Sequence, residues 1–95
     1  MDWQSPRHLA THFRDHGREV GAATVEAYDA SARAIIAADD TITFSYEDET
    51  TFERRVGVYQ PTTGLLTIMS DDDRWIISHM RCDSIYVNDL MRRDD

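Results

Sequence analysis

The chain contains no lysine; all ten of its basic residues are arginine. It has one cysteine, Cys82, two prolines and four glycines in 95 residues, and no apolar run near the ~18–20 residues that a bilayer span requires. Each shortage excludes something. A single cysteine forms no internal disulfide, which fits a reducing compartment. Residues 1–6 have neither the basic start nor the apolar stretch of a secretory signal, so the expected location is cytoplasmic, with no membrane partner. A chain of this length is expected to fold as one domain over residues 1–95, burying about two-thirds of its unfolded surface. That leaves no room for a large internal cavity, so any active site is expected in a surface groove.

What the chain has in excess is aspartate. Of its 18 acidic residues 13 are Asp, and the formal charge is −8. Clusters occur at Asp39-Asp40, Glu47-Asp48-Glu49, Asp71-Asp72-Asp73 and Asp94-Asp95. Arginine without lysine and aspartate over glutamate resembles the composition of proteins from salt-loving archaea, in which acidity is general rather than functional. On that reading the charge leaves an RNA substrate open. In a low-salt cell it would argue against nucleic acid, because arginine and lysine on phosphates supply most of such affinity.

The hydrophobic period changes once, near residue 40. Ser5-Pro6 is an N-cap followed by a helix-starting proline and Gly17 is a stop signal, predicting a helix over residues 6–16 with Leu9 and Phe13 as its apolar face. Thr24 caps a second helix in which Val25, Tyr28, Ala32, Ile35 and Ile36 recur at three- and four-residue spacing, with Asp29 and Arg33 paired on its outer side. From Thr41 the period falls to two, through Ile42, Phe44 and Tyr46. Three more strands are predicted at about 51–59, 65–70 and 74–80, joined by short turns that imply antiparallel hairpins. Residues 84–93 read as a short helix. The expected fold is α+β: two N-terminal helices packed on a four-stranded antiparallel sheet, with a short C-terminal helix.

Three of the four histidines, His8, His12 and His16, fall four apart on the first helix and so line one side of it, beside the Leu9 and Phe13 stripe. There an imidazole can be partly desolvated and still reach a substrate, as acid–base work near neutral pH requires. Two other readings stand beside this one. The histidines merely decorate the helix, or a histidine pair with His79 and Cys82 holds zinc, although no HExxH or second CxxC motif completes such a set.

The segment His12-Phe13-Arg14-Asp15-His16-Gly17-Arg18-Glu19-Val20-Gly21, followed by a helix with Tyr28 and several alanines, resembles the start of the colicin D-type tRNA-cleaving toxin domain. That family belongs to the wider group of barnase-, EndoU-, colicin- and RelE-like ribonucleases. Val58-Tyr59-Gln60-Pro61-Thr62-Thr63-Gly64 and the apolar strand after it resemble the family's Pro-x-Thr turn, and Trp75-Ile76-Ile77-Ser78 its next strand. The likeness spans roughly residues 8–80. It departs from the family at Arg14 and Asp15, where the colicin D branch places lysines, and in the spacing of its basic residues.

The resemblance implies a metal-independent endoribonuclease toxin without a cofactor, acting on RNA, with tRNA as the narrower substrate class. His16 would be the catalytic imidazole and Ser78 a ligand of a phosphate oxygen. It implies, too, a cognate antitoxin or immunity protein as partner. Arginine suits the charge that develops on phosphorus, since its fork pairs two oxygens. Arg55 shares a strand face with Gly57 and Tyr59, and Arg54 shares the other with Phe52, Val56 and Val58. The latter reads as the core face, so Arg55 and Tyr59 are expected on the open side. A salt bridge to the acidic loop of residues 47–49 is an equal expectation for either arginine. The candidate site is therefore His16, Ser78 and Arg55 for catalysis, with His12, Arg14, Arg54, Tyr59 and His79 in contact with substrate. The rival expectation is a non-enzymatic acidic binding protein, an inhibitor or accessory protein whose carboxylates imitate nucleic-acid phosphates.

Overall fold

A computed structural model describes residues 1–93. The first element is one that periodicity does not reveal: a two-residue strand, β1 (Asp2–Trp3). The first helix, α1 (Pro6–His16), begins at the predicted cap, where Ser5 Oγ accepts the His8 N–H at 3.0 Å. The second, α2 (Val25–Ala37), is capped by Thr24, whose hydroxyl accepts the Ala27 N–H at 3.1 Å, and the expected Asp29–Arg33 pair closes on its surface at 2.9 Å. Four strands follow: β2 (Ile42–Glu47), β3 (Arg54–Gln60), β4 (Leu65–Ser70) and β5 (Trp75–Arg81). A third helix, α3 (Ser84–Arg92), starts at Asp83, whose carboxylate accepts the Tyr86 N–H at 2.9 Å.

The sheet order is β1-β5-β4-β3-β2. Strands β2 to β5 form the expected antiparallel meander, but β1 joins the edge parallel to β5, so the sheet has five strands and is mixed. Burial of Trp3 fixes β1 in place: its ring packs with Tyr28, Ala32 and Ile76, and its Nε1 donates to Asp29 at 2.8 Å.

Both faces of the sheet are covered. On one, α2 packs Ile35 against Val58 and Met69. On the other, α3 packs Val87 and Leu90 against Tyr46, Tyr59, Leu66 and Ile68. This corrects the expectation of an open face beside Tyr59, which is 6% exposed in the α3 core. Phe52 is also misplaced by alternation alone. It precedes β3 in the loop, at φ 62, and is 72% exposed. Strand β3 starts at Arg54 because Asp48 organises residues 48–53 into a turn, its carboxylate accepting the N–H groups of Thr50 and Thr51.

Gly17 ends α1, though not through a left-handed turn, since its φ is −56. It is there because the Phe13 ring lies 2.6 Å from where a Cβ would stand. Gly17→Ala is therefore expected to destabilise the domain by about 1–3 kcal/mol through overpacking. A lowered urea midpoint with an unchanged m-value would register it.

Candidate active site between α1 and α3

Because α1 lies along the β5 edge, its apolar side reaches the α2 core through Leu9 and Phe13, while its three histidines turn toward the α3 side. There they form one wall of a cleft of about 330 Å³. The imidazoles make a ladder, with centroids 4.4 Å apart for His8 and His12 and 6.0 Å for His12 and His16. Tyr86, Leu90 and Arg93 supply the facing wall, and Arg55, Ile77 and Ser78 the floor.

Each histidine is held differently. His8 Nε2 donates to the Ile77 carbonyl at 2.8 Å, which docks the helix on the sheet. His12 is half-buried; desolvation first, then the neighbouring charges of His8 and His16, push its pKa down to about 4, so it is neutral at pH 7. His16 Nδ1 lies 3.0 Å from Glu19 Oε1. A carboxylate only accepts, so the imidazole donates from Nδ1 and keeps Nε2 as its free base. Glu19 is itself clamped to the end of β5, its Oε2 accepting the Arg81 N–H at 2.9 Å and its backbone carbonyl the Arg81 Nε–H at 2.8 Å.

Ser78 reaches the floor through an irregularity. Ile68 pairs with Ser78 and Met69 with Ile76, which leaves Ile77 as an extra residue in β5. Such a bulge interrupts alternation and re-aims side chains, so Ile77 and Ser78 both line the cleft. Arg55 takes the predicted salt bridge, with one guanidinium nitrogen 3.1 Å from Asp48 Oδ1. The Thr51 N–H above all, together with Arg55 and the Thr50 N–H, holds the Asp48 carboxyl below its ordinary range. Burial pushes the neighbouring Tyr46 phenol up to about 12, so it stays protonated.

Among the described residues, three buried side-chain polar atoms lack a hydrogen-bond partner: His12 Nδ1, Arg55 Nε and Ser78 Oγ. All three residues line this cleft. An unsatisfied buried polar group costs roughly 1–3 kcal/mol. Three around one space make a site shaped for a polar guest.

The cleft thus collects His12, His16, Arg55 and Ser78 and excludes the other four residues read from the sequence. Arg14 is exposed, paired with Asp15 at 3.3 Å, and lies on a separate groove beside Phe13 and Arg18. Arg54 is exposed at the start of β3, donating to Ser45 Oγ at 2.9 Å. Tyr59 is core, as described above. His79 is fully buried on the α2 side, its ring between Ser31 Oγ at 2.8 Å and Thr67 Oγ1 at 2.9 Å. His79 therefore cannot join the α1 histidines around a metal, and among the described residues no three His, Cys, Asp or Glu side chains are placed to hold one.

Sequence reading missed Glu19, Tyr86 and Arg93, and foresaw Asp48 only as one member of the acidic loop of residues 47–49. Of the three, Glu19 left a signal, three residues after His16, although it lies beyond the predicted end of the helix. No helix among the described residues is long and apolar enough to cross a membrane. In comparisons with known proteins, no family model and no curated sequence matches the chain.

Proposed function

We propose that the α1–α3 cleft cleaves RNA by transesterification, as a small endoribonuclease of the colicin D-like toxin type. The observation that carries this reading is the convergence of three unpartnered polar atoms, on His12, Arg55 and Ser78, beside an imidazole that Glu19 fixes in one tautomer. His16 Nε2 takes the proton of the ribose 2′-OH. The 2′-oxygen forms a bond to phosphorus, the bond from phosphorus to the 5′-oxygen breaks, and the proton passes by way of His16 to that leaving oxygen. Arg55 Nε and Ser78 Oγ donate to the non-bridging oxygens as charge grows on them. The nucleophile belongs to the substrate, so the step needs from the protein only a proton carrier, positioning and donors. The narrower substrate proposed is tRNA.

An acidic ribonuclease must meet a polyanion, and salt resolves the conflict. At molar salt the Debye length is about 3 Å, so the net charge of −8 no longer repels at a distance while hydrogen bonds inside the cleft persist. A cell producing such an enzyme restrains it, and the partner that follows is a cognate antitoxin or immunity protein seated over the cleft.

The test is incubation of total small RNA with the purified protein in concentrated potassium chloride containing EDTA. Discrete fragments ending in 2′,3′-cyclic phosphate are expected. Intact RNA after incubation with protein shown by circular dichroism to be folded overturns the reading in favour of an acidic binding protein.

A further inference from the structure

His16 stands at a junction. On its far side from Arg55 and Ser78 a second groove opens, of about 560 Å³, and the two spaces share His16, Met80 and Tyr86. The second groove differs in chemistry from the first. Met80, Cys82 and the Tyr86 ring give it apolar walls, and Glu19 and Asp83 border it. The Cys82 thiol, pushed up to about 11 by burial and the nearby Asp83 and Glu19, is neutral and behaves as an apolar side chain.

Among the described residues that line it, Arg81 is the one arginine. Its guanidinium is turned to backbone carbonyls, donating through Nε to Glu19 at 2.8 Å and through Nη1 to Thr63 at 2.6 Å. Two carboxylates at the border repel an anion. The groove therefore suits a flat, uncharged group with N–H donors on its edge. Asp83 has an acceptor to offer such an edge: Oδ1 caps α3, accepting the Tyr86 N–H, while Oδ2 makes no hydrogen bond among the described residues.

We infer that this second groove is a nucleobase subsite, in which the base of a nucleotide flanking the cleaved phosphate stacks on the Tyr86 ring. The inference rests on the ribonuclease reading of the adjoining cleft. It assigns the two spaces separate tasks, one for the phosphate and one for its base, with His16 between them at the ribose. Tyr86, 39% exposed, offers the face that stacking requires.

Binding of inorganic phosphate and of the four nucleoside 3′-monophosphates, measured by isothermal titration in the same potassium chloride buffer, separates the two ideas. At least one nucleotide is expected to bind about tenfold or more tightly than phosphate, the gain typical of one stacked base. Tyr86→Ala should reduce that nucleotide to the level of phosphate, and Tyr86→Phe should retain the gain. If phosphate and nucleotides bind the wild type equally, the subsite is overturned and the phosphate cleft stands. A preference that survives in Tyr86→Ala likewise removes the stacking role. If neither phosphate nor any nucleotide binds, the cleft reading falls together with the subsite.

Discussion

His16→Ala is expected to slow RNA cleavage by about 10²–10⁴-fold, the usual contribution of a positioned acid–base group, without unfolding the domain. The side chain is 27% exposed and, among the described residues, its one hydrogen bond is to Glu19. After the substitution Glu19 still holds the Arg81 N–H, so the clamp on β5 remains. The other imidazoles of the ladder are poorly placed or poorly suited to replace it. His8 is anchored to the sheet through Nε2 on the Ile77 carbonyl, about two helical turns from the His16 position, and His12, with its pKa near 4, is a poor proton acceptor at neutral pH. Initial rates on an end-labelled RNA, taken in concentrated potassium chloride with EDTA, measure the effect. A variant that keeps more than a tenth of the wild-type rate rules out His16 as the proton carrier.

The second large effect concerns stability rather than chemistry. His79 has no exposed surface, and desolvation lowers its pKa from 6.5 to about 4. Its neutral ring is held by Thr67 and Ser31. The folded state thus binds this proton less readily than the unfolded chain does. Stability from the neutral ring is complete above pH 6.5, declines as pH falls below it, and is lost at about pH 4. At 1.36 kcal/mol for each tenfold change in proton affinity, the loss from His79 is about 3 kcal/mol. His12 adds a smaller loss of the same sign, reduced by its exposure to water. Urea midpoints from pH 7.5 to 5 at fixed potassium chloride isolate the effect, because most carboxylates stay ionised in that range. The midpoint is expected to fall steadily, and His79→Gln should flatten the slope. A wild-type midpoint constant from pH 7.5 to 5 would contradict it.

The sequence was most informative where a local signal fixes local structure. Ser5, Thr24 and the four-residue histidine spacing place α1, α2 and one wall of the cleft, because capping and helical period act within a turn of chain. The sheet's order of hairpins was legible for the same reason. Errors arose where a neighbour distant in sequence decides. Tyr59 alternates with Val58 whichever face is open, and only the docking of α3 makes its side core. Ser78 and His79 are adjacent in a strand and so should diverge; the bulge at Ile77 decides which of them enters the cleft. Strand β1 has two residues, too few for any period, and depends on a parallel partner more than 70 residues away.

The order in which the chain makes its contacts has a consequence for when the site exists. Within the meander of β2 to β5 every pairing joins neighbours in sequence, and contacts of that kind form early because little loop entropy opposes them. The walls of the cleft come from opposite ends of the chain, α1 before the meander and α3 after it. They can meet around Arg55 and Ser78 only once the sheet provides a floor. A newly made chain is therefore expected to complete its meander before it completes its cleft, and the chemistry proposed for it waits on both ends of the molecule.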